Sequence, residues 1–216
     1  MKECFATFGM GGWYPRGVQR MRESLQPYRY ELIAPNDYPD GCPTHLQIPY
    51  AFKIYIIRQA AEHYPIVLWM DASGWVQHNP APIFDIIRRD GVMIMHNSGQ
   101  VNGNWCSDRQ LDAFGYTRDE AMKQPHVSSG LIGFDFSNTR GVDIFEQWAA
   151  SMPLFKGAWR NTHQTESKDP RCLGSRHDQS AIALIAVKKG ITLTEPNGIV
   201  SFDVTDKRPM ILMQGM

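Results

Sequence analysis

The stretch PIVLWMDASG, residues 65–74, ends an unbroken apolar run on a carboxylate, Asp71, followed by the small Ala72 and Ser73 and a glycine. A carboxylate at the end of a buried strand can bind a hard divalent cation, and that cation can bind a diphosphate. It can equally cap the next turn through its own side chain. In GMGGWYPR, residues 9–16, glycines follow a first apolar strand and can admit a phosphate or a base, with Trp13 or Tyr14 free to stack on it. The order Gly9, Gly11, Gly12 fits neither G-x-G-x-x-G nor a Walker loop, and a plain surface turn with two half-buried aromatics is the competing reading.

Two later stretches carry further candidates. In HVSSGLIGFD, residues 126–135, Ser128, Ser129 and Gly130 read as a small polar turn ahead of a strand. Such a turn leaves room for a ligand such as a sugar, or it answers only a backbone need. In SRHDQSAIALIA, residues 175–186, His177, Asp178 and Gln179 open a helix after a long polar loop. Asp178 either caps that helix or handles a substrate beside it. Lys53, in PYAFKIY, sits among aromatics near a helix start, where a phosphate contact competes with ordinary solvation.

Other chemistries lack their signatures. There is no G-x-S-x-G elbow and no H-E-x-x-H, and the seven histidines are scattered. Cys4, Cys42, Cys106 and Cys172 form no C-x-x-C pair, so reduced thiols are expected rather than a zinc site. The formal net charge is zero, which points away from a broad basic face and leaves a local basic groove open. No apolar stretch approaches the roughly 20 residues that cross a bilayer. The first residues, MKECFATFGMGGWYP, do not read as a secretory signal, so a soluble cytoplasmic protein is expected.

The elements that must position these residues alternate along the chain. Strands are expected at 3–8, 30–34, 66–70, 91–95 and 131–136, with late strands in ITLTE (191–195) and IVSFDV (199–204). Helices are expected at 17–25, 51–63, 82–89, 141–150 and 178–189, the last closed by Gly190. Thr117 with Glu120 forms a capping-box pattern that starts a short helix. Residues 97–116 read as irregular, and 152–177 as a long loop that is functional or mobile. Alternating strands and helices indicate an α/β fold with a mostly parallel central sheet, in which ligands bind beyond the carboxyl ends of strands. Asp71 stands at that place.

Together these stretches resemble the GT-A-fold glycosyltransferases, the nucleotide-diphospho-sugar transferases. FATFGMGGWYPRGVQRMRESL looks like their opening strand, nucleotide-facing turn and helix. FKIYIIRQAAEHYPIVLWMDAS looks like the lysine-bearing helix and the strand leading to the D-x-D site. HVSSGLIGFDFSN looks like their small-residue turn and strand, and HDQSAIALIAVKKGI like the late D-Q segment. The similarity spans roughly residues 4–195. It implies a single GT-A-like domain over 1–216, with a Rossmann-like nucleotide-sugar-binding half at 1–95 and an acceptor half at 96–216.

The resemblance also implies roles. The donor would meet Thr7, Phe8, Gly9, Tyr14 and Arg16 after the first strand, then Lys53, Asp71, Ala72 and Ser73. Ser128, Ser129, Gly130, His177 and Gln179 would complete the donor side. Asp71 and Asp178 would be the catalytic carboxylates, and Trp105 and Trp159 platforms for the acceptor. Mn²⁺ or Mg²⁺ would be held by Asp71, with Ser73 standing where the last acid of D-x-D would be. A leaving nucleoside diphosphate needs positive charge, from that cation or from Lys53, Arg16 or Arg176. A UDP-sugar is the favoured donor. The acceptor stays open between a glycan, a protein, a lipid-linked sugar and a modified nucleobase. A non-catalytic nucleotide-sugar-binding domain and a metal-dependent phosphohydrolase using Asp71, Asp178 and His177 are the alternatives.

Overall fold

The strand β3 (Ile66–Met70) lies in the middle of the molecule with all five residues buried. Side chains of a strand alternate between faces. Val67 and Trp69 accordingly join one apolar cluster, while Ile66, Leu68 and Met70 join another. The run has no polar break because both faces are covered. A computed structural model of the chain describes residues 2–215 except Val204, Asp206, Lys207 and Pro209; for Met213 and Gln214 it describes the backbone alone.

Next to β3 on one side lie β1 (Glu3–Ala6) and β2 (Glu31–Ile33); on the other lie β6 (Pro125–Asp135) and β5 (Val92–Val101). The sheet order is β2-β1-β3-β6-β5. β1 pairs in parallel with β2 and β3, and β6 pairs antiparallel with β3 and β5. Four strands therefore run one way and β6 alone runs back, a mixed sheet in an α/β fold.

Two helices cover one face: α1 (Tyr14–Leu25), through Met21 and Leu25, and α3 (Ala81–Asp90), through Ile83, Phe84 and Ile87. The other face carries α2 (Ala51–Ala61), α7 (Thr139–Ala150) and α8 (Asp178–Lys188), which bury Ile54, Ile57, Phe145, Trp148, Ile182 and Ile185. Each such side chain contributes on the order of 1.5–3 kcal/mol when fully buried. α8 shows almost no amphipathic period because it is apolar nearly all round, as a helix packed on several sides should be.

Several stretches differ from the sequence expectation. Residues 97–116 are not irregular: β5 runs on to Val101, followed by α4 (Asn102–Trp105) and α5 (Asp108–Phe114). Ser107 and Gln110 form a capping box at the start of α5, a visible signal masked by the polar composition. The expected capping box of Thr117 and Glu120 does open α6 (Arg118–Ala121). Ser128–Gly130 are not a turn before a strand but the interior of β6, where the pairing with β5 jumps from Ile94↔Ile132 to Met95↔Ser128. That irregularity re-aims side chains near the sheet's end.

ITLTE makes only an isolated bridge, Met95↔Thr194. Of IVSFDV only Val200–Ser201 (β7) is a strand, and Val204 lies outside the described residues. β7 joins β4 (Gly74–Val76) and β8 (Leu212–Gln214) in a small second sheet, order β4-β8-β7. β4 starts three residues beyond Asp71, so the turn carrying Asp71 is stretched between two sheets. Arg20 fastens it: Nη2 donates to the carbonyls of Ser73 (2.6 Å) and Gly215 (2.9 Å), and the guanidinium lies 3.9 Å from the Trp75 ring centroid. Gly17 makes room for this approach, since a Cβ there would come within 2.0 Å of the Ala72 carbonyl oxygen.

Candidate active site

β3 delivers Asp71 just past its last residue, where the Asp71 backbone N–H donates to the Gly130 carbonyl at 2.8 Å. The side chain is held at one oxygen. Oδ1 accepts from Trp69 Nε1 at 2.7 Å and lies 3.3 Å from Lys53 Nζ. Oδ2 has no hydrogen-bond partner among the described residues, and the side chain is 35% exposed. One oxygen is thus anchored and the other is left available.

Lys53 is the least expected member. It is 1% exposed, with its ammonium 3.1 Å from Asp178 Oδ2 and 3.0 Å from the Ser129 carbonyl it donates to. Nζ also donates to Ser129 Oγ at 3.2 Å. Burial alone would depress the lysine, but the Asp178 and Asp71 carboxylates outweigh it and push its pKa up to about 12. Lys53 is therefore a permanent buried cation. Asp178 is itself 2% exposed, and burial raises its pKa against the pull of Lys53. Its Oδ2 pairs with the ammonium but accepts no directed hydrogen bond. Asp178 faces Lys53, not solvent.

The residue before it, His177, has φ 51° and ψ −113°, a conformation that a non-glycine adopts only when its surroundings impose it. Its Nε2–H donates to the Gly157 carbonyl at 2.9 Å, and Nδ1 is buried without a partner. The ring stands between Tyr50 and Trp159, at centroid distances of 5.8 and 5.9 Å.

A cavity of about 430 Å³ opens over Asp71, Ala72 and Ser73. Its walls are Phe8, Met10, Tyr14, Tyr38, Tyr50 and Phe52, with His45 beside them. Two of these side chains lie outside the motifs: Tyr38 comes from the loop PNDYPDGCP and His45 from PTHLQIPY. The His45 Nδ1 accepts the Tyr50 N–H at 3.2 Å, and burial, then the neighbouring His177 and Lys53, keep its pKa below the usual value. A second cavity, about 230 Å³, is lined by Asn97, Gln100, Trp105, Trp159, Arg176 and Gln179.

The expected donor residues divide between these places. Phe8, Tyr14, Asp71, Ala72 and Ser73 line the first cavity. Lys53, Ser129 and Asp178 form the buried layer beneath it, and the Gln179 side-chain oxygen is 3.5 Å from the Ser129 N–H. Thr7 is fully buried, its hydroxyl without a partner, and Ser128 and Gly130 are buried in β6. Gly9 sits half-buried in the loop before α1, and Arg16 is exposed on α1, apart from both cavities. Trp105 and Trp159 come together across Arg176 in the second cavity.

Comparison with models of known protein families gives no match, and no curated protein matches the chain. Solved structures do. The chain is similar to a glycosyltransferase involved in the glycosylation of the major capsid of PBCV-1, with TM-score 0.53 and 12% identity, over 98% of this chain and 93% of that one. It is similar to mouse xyloside xylosyltransferase 1, with TM-score 0.54 and 7% identity, over 100% of this chain and 98% of that one. It is also similar to the bifunctional glycosyltransferase WbbM, with TM-score 0.55 and 9% identity, over 99% of this chain and 45% of that one. The chain has a GT-A-like glycosyltransferase fold. That places Asp71 at the carboxyl end of a central strand, where open α/β sheets bind ligands.

The fold raises the question of a divalent cation. Among the described residues no three His, Cys, Asp or Glu side chains group as metal ligands. Asp71 offers one available oxygen and Ser73 a neutral hydroxyl, while the neighbouring ammonium of Lys53 already offsets charge at Oδ1. These donors do not build an all-protein cage. They fit a Mg²⁺ or Mn²⁺ ion that keeps waters and takes further ligands from phosphate.

Proposed function

We propose that the chain is a glycosyltransferase moving a sugar from a nucleoside-diphosphate donor to an acceptor hydroxyl. The observation that carries this reading is the Lys53 ammonium buried between Asp71 and Asp178 under an aromatic-walled cavity, in a protein of glycosyltransferase fold. The aromatic walls suit a nucleobase and ribose, and the Asp71 end suits the diphosphate. UDP-sugars are the first donors to try, since a pyrimidine leaves room for the sugar in about 430 Å³. A Mg²⁺ or Mn²⁺ ion at Asp71 and Ser73 would supply Lewis-acid charge to the leaving diphosphate.

The chain's own residues divide the remaining work. Lys53 holds Asp71 in place through Oδ1. Asp178, buried and ion-paired, orients Lys53 and so acts as a positioning residue. Among the described residues Asp71 is the one carboxylate lining either cavity. An inverting transfer needs a protein base to take the acceptor proton, whereas in same-face transfer a departing phosphate oxygen can take it. The arrangement therefore favours retention of anomeric configuration. Donor cleavage with and without sugar acceptors tests the reading: release of nucleoside diphosphate from one UDP-sugar, lost in Asp71→Ala, supports it. No release from UDP-, GDP- or ADP-sugars, with Mg²⁺ or Mn²⁺ present, contradicts it.

The lone acid of the cavity and the buried, ion-paired Asp178 also favour a second reading, a non-catalytic nucleotide-sugar-binding domain. It predicts tight donor binding with no turnover.

A further inference from the structure

Arg176 is a half-buried cation in the loop before α8. Arg58, Arg88, Arg89, Arg118 and Arg171 each pair with a carboxylate. The Arg176 guanidinium makes no hydrogen bond or ion pair among the described residues. It is clamped flat instead, its central carbon 3.9 Å from the ring centroid of Trp105 and 3.7 Å from that of Trp159. Burial lowers its pKa, and the charged neighbour that adds to this is another arginine, Arg160.

The clamp is built from several elements. Trp105, at the end of α4, donates through Nε1 to Gln100 Oε1, and its carbonyl accepts the Arg176 backbone N–H at 3.1 Å. Gly174 lets the chain pass tightly against Trp159: a Cβ there would come within 2.1 Å of the Trp159 carbonyl oxygen. Two stacked faces leave only the in-plane N–H edge of a guanidinium free. That edge matches a planar carboxylate through two parallel hydrogen bonds. Asn97, Gln100 and Gln179 add amide groups suited to hydroxyls around a cavity of about 230 Å³, room for a single sugar ring.

We infer that Arg176 reads a carboxylate on the acceptor, and that the acceptor is a uronic-acid-type saccharide bound in the Trp105–Trp159 cavity. This rests on the glycosyltransferase reading. The zero net charge gives no long-range field for a polyanion, which favours one fixed carboxylate over a nucleic-acid backbone. His177, in ring contact with both Tyr50 and Trp159, links this cavity to the donor cavity, as transfer between the two would require.

The test titrates the protein, saturated with UDP, with methyl β-D-glucuronide, methyl β-D-glucoside and glucose 6-phosphate, following tryptophan fluorescence and calorimetry. The glucuronide should bind at least tenfold more tightly than the other two. Arg176→Gln and Arg176→Lys should both erase that preference, with melting temperature and UDP affinity kept. Equal binding of glucuronide and glucoside overturns the assignment, as does preference for the phosphate ester. Loss of UDP affinity in Arg176→Lys would assign the arginine to the donor and overturn it too. UDP affinity of the wild type is read separately, so failure of the donor site is distinguishable from failure of this inference.

Discussion

The two cavities treat charge in opposite ways. Beneath the first, a buried cation is ion-paired with two carboxylates, and Asp71 Oδ2 remains available. In the second, a half-buried cation has no counter-charge among the described residues and lies against two indole rings. An internally paired site is rigid before a ligand arrives and tolerates a charged substrate with its own counter-ion. A site with an unpaired guanidinium leaves the counter-charge to the ligand. The first cavity suits a donor common to many reactions; the second suits selection of one acceptor.

The largest test of that contrast is Lys53→Met. Removing the cation leaves Asp178 buried without compensation, which costs about 3–5 kcal/mol for a buried pair. Transfer should be lost with it. The double variant Lys53→Met/Asp178→Leu should recover part of the stability but none of the activity, measured by urea unfolding and product formation. Additive losses in the double variant would show that the pair is not coupled.

His126 gives the next effect, on the acceptor side. It is fully buried, bonded to Asn102 through Nδ1, and burial followed by the Arg176 charge depresses its pKa to about 3. The unfolded chain then binds a proton that the folded chain refuses. Stability should fall as pH drops from about 6.5 towards 3, by a few kcal/mol, and be flat above pH 7. His126→Gln should flatten the acid limb. An unchanged acid limb would show that His126 takes up its proton while folded.

Gly17→Ala sharpens the donor side. Its new methyl would meet the Ala72 carbonyl, so the turn behind Asp71 must move, at a cost of roughly 1–3 kcal/mol. Donor affinity should weaken while glucuronide affinity holds. The smallest effect is expected from Trp159→Ala, since Trp159 is 45% exposed and a cation–π contact there is worth about 0.5–1 kcal/mol. It should weaken acceptor binding several-fold and leave folding unchanged.

The same contrast governs what was legible in the sequence. β3 and its terminal Asp71 announce themselves because a strand covered on both faces must be apolar throughout. Lys53 could be placed near a phosphate, but its burial depends on Asp178, 125 positions later, and no local pattern encodes that distance. The small second sheet was hidden because strands of two or three residues have no readable period and exist through pairing. Trp105 and Trp159 were visible as flat residues in polar segments. Arg176 was named as a charge for the leaving diphosphate, but its place between them was not legible, because the stack is assembled by α4 and the loop before α8.

The most direct measurement is a melting-temperature panel of nucleotide sugars on the wild type and Asp71→Ala, with and without Mn²⁺. A donor at 100 times its dissociation constant adds about 2.7 kcal/mol, or roughly 5–10 °C for a chain of this length. The account predicts that one donor produces such a rise and that Asp71→Ala removes it. A wild type unmoved by every nucleotide sugar, or a rise that Asp71→Ala leaves intact, would contradict it.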